Sequence, residues 1–150
     1  MRAALAKAES ALPPAGAPPY AVIAADTVVV LDGRPLGKPD SAGDAFAMLS
    51  LLAGRSHTVV TGCALLAADA GGGRRATFAV QSRVSMWACP EPMLRAYAAS
   101  GEPLDKAGAY AVQGKGAFLV ERIEGSWSNV VGLPLAELVR ELLELGIVAA

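Results

Sequence analysis

The chain has 150 residues, with 13 Lys and Arg against 14 Asp and Glu, a formal net charge of −1, and 53% hydrophobic residues, many of them alanine. Without a global basic field it has no nucleic-acid partner, and any bound anion must be held by a local cluster of cations. No apolar run reaches the roughly 18 residues of a bilayer span, and the charges at helical spacing in Met1 to Glu9 exclude a secretory signal, so the chain reads as soluble, cytoplasmic and free of a membrane partner.

Residues 2–12 read as an Ala-rich helix stopped by Pro13-Pro14, and 13–19 as an exposed proline-rich loop. Residues 20–31, rich in Val and Ile and closed by the turn signal Asp32-Gly33, read as a strand buried on both faces. A second helix starts at Asp40 or Ser41 with Asp44 placed as in a capping box. It keeps Ala45, Met48, Leu49 and Leu52 at helical spacing and stops at Gly54. Residues 57–68 form a second buried strand, interrupted at Thr61-Gly62. Gly71-Gly72-Gly73 lead into a strand over 75–87, where Thr77, Gln81, Arg83 and Ser85 alternate with Phe78, Val80, Val84 and Met86. That alternation predicts an antiparallel strand with one wet face. A Pro-initiated helix over 91–99 ends at Ser100-Gly101. An irregular loop follows over 101–116, then a strand over 117–123 and a loop over 125–132. The last helix begins near Pro134, packs Leu135, Leu138, Val139, Leu142 and Leu143, and stops at Gly146. The alternation of strands and helices predicts the α/β class, a mixed twisted sheet flanked by helices, in one domain over 1–150.

Few residues in this pattern carry chemistry. Asp26 is the one charge in the apolar run 20–31, and a carboxylate in such a place needs a cation, a metal or a catalytic task. Cys63 and Cys89 lack metal-ligand spacing and read as buried thiols. His57, the only histidine, has no partner set for a zinc site or a Ser-His triad. The segment 101–116 places Glu102, Asp105, Lys106, Gln113 and Lys115 among glycines. Such a loop suits phosphate, with carboxylates for Mg²⁺ or Mn²⁺; a solvated loop with incidental charges is the other reading. Gln113 can read a base edge or brace the loop, Tyr110 can stack on a ligand or join the core, and Ser126 to Asn129 read as a turn and cap.

Together the segments Ala25-Asp26-Thr27-Val28-Val29, Gly37-Lys38-Pro39, His57-Thr58-Val59-Val60-Thr61-Gly62, Ser100-Gly101-Glu102-Pro103, Asp105-Lys106-Ala107-Gly108-Ala109-Tyr110, Gln113-Gly114 and Asn129-Val130-Val131-Gly132-Leu133-Pro134 resemble the Maf proteins. These are nucleoside triphosphate pyrophosphatases related in fold to the inosine triphosphatases. The order and spacing agree from about Lys7-Ala8 to the C-terminal helix.

The resemblance implies hydrolysis of a nucleoside triphosphate between the α and β phosphates, with Mg²⁺ or Mn²⁺, by a homodimer. The form Lys106-Ala107-Gly108-Ala109-Tyr110 followed by Gln113-Gly114 is similar to the branch acting on dTTP and UTP, with modified pyrimidine nucleotides also in range. Asp26 is then the proton acceptor, and Thr27 and Gln113 bear on base selection. Lys38 and Lys106 hold phosphate oxygens, and Glu102 or Asp105 helps hold the metal. Family members open with a strand and a Ser-x-Ser-Pro-Arg-Arg loop that grips phosphate, whereas this sequence opens at the helix that follows. The expectation is an N-terminally truncated Maf-like fold: a misplaced start, a shortened chain, or a short form that is inactive or completed by another chain. A non-catalytic nucleotide-binding regulator of cell division is the alternative of another class, since Maf-like proteins were linked by name to septum formation.

Overall fold

The two longest apolar stretches pair with each other. In the computed structural model, which describes residues 1–14 and 18–149, β1 (Tyr20–Leu31) and β3 (Ser56–Asp69) run antiparallel from Tyr20 opposite Ala68 to Val30 opposite Thr58. Residues 15–17 of the expected proline-rich loop lie outside the described residues. β3 turns into β4 (Gly72–Met86), β5 (Val120–Glu124) pairs with β4, and β2 (Arg34–Leu36) folds back on β1. The five-stranded order is β2-β1-β3-β4-β5. The α/β class with flanking helices is as expected, and the ladders are all antiparallel rather than of mixed direction. β2 carries no periodic signal in the sequence. It forms because Asp32 and Gly33 both take positive φ (51° and 76°), the geometry of a tight hairpin whose twist matches its strands. Pro35 is tolerated there because the strand is an edge.

The expectation that β1 is buried on both faces is corrected: only Val29 and Leu31 in it are buried. Coverage changes face along the strand. In its first half Val22 and Ala24 lie against α1 (Arg2–Ser10), which packs Ala4 and Ala8 on Ala64 of β3. In its second half Val29 and Leu31, on the other face by strand alternation, enter the main core. The changeover falls at Asp26-Thr27. β3 runs through Thr61-Gly62 without the expected interruption, and Gly62 pairs with both Asp26 and Ala79. Its missing side chain matters: a Cβ there would lie 2.7 Å from the Met1 backbone nitrogen.

The main core lies between the other face of the sheet and α2 (Ala42–Leu52) with α3 (Glu91–Ala98). Leu49, Leu52, Val59, Val84, Met86, Leu94 and Tyr97 fill it. α2 begins as its sequence predicts. Ser41 Oγ accepts from the Asp44 N–H (3.1 Å), donates to the Asp44 carboxylate (2.8 Å), and Ala45, Leu49 and Leu52 are buried.

Three other expectations change. The segment 101–116 is not irregular but a series of 3₁₀ turns, Glu102–Asp105, Ala107–Ala109 and Lys115–Leu119, with Pro103, Gly108, Ala109, Tyr110, Ala111 and Gly116 buried. The last turn takes the residues assigned to the start of β5. The loop at 125–132 contains a short helix, α4 (Trp127–Val131), capped by Ser126 Oγ on the Asn129 N–H. Finally α5 (Leu135–Glu144) buries only Leu138, while Leu135, Val139 and Leu143 are exposed. The apolar stripe is real, but no described element covers it. Among the described residues, no helix is long and apolar enough to cross a membrane.

Candidate active site

Asp26 is half-buried and paired. The Lys7 ammonium donates to Asp26 Oδ1 at 2.5 Å and reaches the Ala25 carbonyl at 3.4 Å. Lys7 is the residue that sequence reasoning missed. Its signal was spacing: Ala4 and Ala8 face the sheet, and position 7, one step from Ala8 and three from Ala4, rims that face. Small residues let α1 approach closely enough for the side chain to reach the strand. Asp26 Oδ2 has no hydrogen-bond partner among the described residues, so it can accept a proton from water.

Thr27, next to Asp26 but on the other face, heads a chain of hydroxyls. Thr61 Oγ1 donates its single proton to the Asn129 carbonyl (3.0 Å), so in the 2.9 Å contact between the two threonines Thr27 is the donor. Thr27 Oγ1 therefore has only lone pairs left for a ligand. Asn129, read from the sequence as part of a turn, is fully buried. Its Nδ2 donates to the Val59 carbonyl (3.2 Å) and Ser82 Oγ (2.9 Å), which ties α4 to the sheet behind Thr61.

The phosphate-loop candidates gather on the Thr27 side. Gly108 packs on Val29, two residues along the same face, where a Cβ would lie 3.0 Å from both Val29 methyl carbons, and its N–H donates to the Gly37 carbonyl at 3.0 Å. This seats the turn after Lys106 against the segment carrying Lys38. Lys106 donates to Asp105 Oδ2 at 2.8 Å. That hydrogen bond, with the charges of Lys106 and Lys38, holds the Asp105 carboxyl below its ordinary range against a weaker opposing effect of desolvation. Lys38 is exposed. Among the described residues no hydrogen bond or ion pair joins Asp26 to Lys38, Asp105 or Lys106.

Glu102 is occupied differently from the metal role expected of it. Its carboxylate accepts from the Tyr97 hydroxyl (2.8 Å) and from the backbone N–H groups of Lys115 (2.9 Å) and Gly116 (3.0 Å). Partial burial alone would push its pKa up; these hydrogen bonds and the Lys115 charge outweigh that and leave it lowered. Gln113 is exposed and makes no side-chain hydrogen bond among the described residues. Those residues contain no group of three or more His, Cys, Asp or Glu that could hold a metal. A divalent cation would therefore be shared between substrate phosphates and one or two carboxylates, which is how Mg²⁺ is commonly held. Asp105 fits that use, being exposed with Oδ1 free, whereas both oxygens of Glu102 are already engaged.

The Maf-like protein family matches residues 1–145. The chain belongs to the Maf family. It is 60% identical over 125 residues to a dTTP/UTP pyrophosphatase of Nitratidesulfovibrio vulgaris, covering 83% of this chain and 58% of the relative. Over 128 residues it is 46% identical to a dTTP/UTP pyrophosphatase of Bacillus thuringiensis subsp. konkukian and 45% identical to one of Bacillus cereus, covering 85% of this chain and 65% of each relative. The chain thus spans between 58% and 65% of the length of these curated relatives.

Two other Maf motif residues have core roles here. His57 and Tyr110 are both buried and joined by a 2.8 Å hydrogen bond between Nε2 and the hydroxyl, with the rings edge to face. Burial pushes the His57 pKa down to about 4, so the ring is neutral at pH 7. Tyr110 is thus core, as one of its two readings had it. Cys63 and Cys89 are buried free thiols whose pKa burial raises, at Cys63 with the Glu137 charge adding to the effect.

Proposed function

We propose that this Maf domain, residues 1–150, hydrolyses dTTP and UTP, and modified pyrimidine triphosphates of like shape, to the monophosphate and pyrophosphate. The observation that carries the reading is Asp26, a half-exposed carboxylate held through one oxygen by Lys7 and free at the other. The 60% identity to a relative named dTTP/UTP pyrophosphatase supports the same substrate class.

In this mechanism Asp26 Oδ2 takes a proton from the attacking water as the new O–P bond forms. The bridging P–O bond breaks with its electron pair on pyrophosphate. Lys7 keeps the carboxylate oriented, and Lys106 and Lys38 neutralise phosphate oxygens where charge develops. A Mg²⁺ or Mn²⁺ ion carried by the triphosphate and held by Asp105 would add further positive charge at those oxygens. Thr27 supplies base selection. Uracil and thymine carry an N3–H flanked by carbonyls, whereas cytosine N3 is an acceptor, and a hydroxyl with only lone pairs to offer favours the first two. Gln113 reads the same base edge from its exposed position. A cytoplasmic homodimer belongs to this reading on the strength of the family resemblance.

The test is pyrophosphate release with Mg²⁺ or Mn²⁺ from dTTP, UTP, CTP and GTP. Release from dTTP and UTP well above CTP is expected, and Thr27→Val should narrow the gap. Equal release from all four sinks the base assignment. Nucleotide binding with no product from any of them favours the non-catalytic regulator.

A further inference from the structure

Glu102 has the composition of a metal ligand and the surroundings of a structural clamp. Its carboxylate sits inside the segment 111–116, accepting from Lys115 N–H and Gly116 N–H on one side and Tyr97 hydroxyl on the other. Tyr97 is buried in the main core, where its ring meets Phe118 edge to face, and its hydroxyl also accepts from Ala111 N–H at 3.2 Å. One phenol and one carboxylate thus hold both ends of the segment whose middle carries Gln113. The fit is close. A Cβ on Gly114 would lie 2.7 Å from the Glu102 carboxyl carbon, and one on Gly116 would lie 2.6 Å from Tyr97 Cζ. The glycines there serve the approach of the chain to this clamp, not to a phosphate.

We infer that Glu102 and Tyr97 are positioning residues for Gln113, fixing the 111–116 segment so that its amide meets the base, and that Glu102 is not a metal ligand. The inference rests on the pyrophosphatase reading for its functional half and on the hydrogen-bond geometry for its structural half. Tyr97 is the informative partner, since Tyr97→Phe keeps the ring in the core and removes only the hydroxyl.

Two measurements test it, on wild type, Tyr97→Phe and Glu102→Gln. The first needs no turnover. Amide hydrogen exchange at Lys115 and Gly116 should quicken by about tenfold or more in both variants, and at Ala111 in Tyr97→Phe, as local opening becomes easier. Unchanged exchange overturns the clamp. The second is the ratio of kcat/KM for UTP to that for CTP, together with the Mn²⁺ concentration that gives half-maximal rate. Discrimination should fall about tenfold in both variants, with the effect mainly in KM and the Mn²⁺ requirement unchanged. If Glu102→Gln raises the Mn²⁺ requirement while Tyr97→Phe leaves discrimination intact, Glu102 is a ligand and the inference is wrong. A wild-type chain that releases no pyrophosphate sinks the pyrophosphatase reading instead, and the clamp then stands or falls on exchange alone.

Discussion

The two faces of the sheet are packed with residues of different size. On the α1 side the fully buried residues are Ala4, Ala8 and Ala64, with Leu5, Val22, Ala24 and Leu66 only partly buried beside them and Gly62 beneath Met1. Against α2 and α3 they are Leu49, Leu52, Val59, Val84, Met86, Leu94 and Tyr97. Apolar burial stabilises by roughly 25 cal/mol per Å², so the second face holds the fold and the first contributes much less. What the small residues supply is approach: the α1 backbone lies close enough for Lys7 to reach Asp26. Asp26 and its lysine lie on the weakly held face, whereas most of the stability lies on the other, the face that Thr27 shares with Val29.

That division can be broken from either side. Asp26→Asn should lower pyrophosphate release by about 10²–10⁴-fold, the range for loss of a general base, while leaving the thermal midpoint almost unmoved. A metal-dependent rate that survives the change would remove Asp26 as the base. Leu49→Ala should do the reverse, costing about 2–5 kcal/mol in denaturant unfolding with little change in rate per folded molecule.

The main core also sets a pH dependence. Burial holds the folded His57 pKa down to about 4, against about 6.5 for an ordinary histidine, so between those values the unfolded chain binds more protons and stability rises with pH. Its contribution is whole above pH 6.5 and is lost as pH falls toward 4. About 2 kcal/mol should go between pH 7.5 and pH 5, a slope that His57→Gln should flatten in pH-dependent melts. The smallest expected effect is at Gly62→Ala, where the new methyl meets the Met1 backbone nitrogen at 2.7 Å. About 1 kcal/mol of stability should be lost, with α1 displaced and a larger proportional fall in activity than in stability. A variant that lost both equally would show that the two faces are not separable.

Helices and long strands were legible because their signals are local. Ser41 and Asp44 marked the start of α2 and Gly54 its end, and the alternation of 75–87 marked a strand with one wet face. β2 was not legible, since three residues with a proline show no period and only the φ values of Asp32-Gly33 create the hairpin. The 3₁₀ turns over 101–119 were missed for a similar reason. Their glycines suggested an open loop, whereas Gly114 and Gly116 are small because Glu102 and Tyr97 lie against them. α5 kept its periodicity without its burial, because a stripe of leucines shows which side of a helix is apolar and not whether anything covers it.

For the site, the sequence by itself singled out Asp26 as the anomalous charge and, through its motifs, the family to which the chain belongs. Those conclusions depend on residue type and spacing, which the chain carries without folding. The tertiary structure alone decided that Lys7 is the partner of Asp26, that the Thr27 hydroxyl points its proton at Thr61, and that Glu102 faces backbone N–H groups and a phenol. Each is a tertiary contact outside any regular helix or strand spacing, or a choice of hydrogen-bond direction, and neither leaves a period to read.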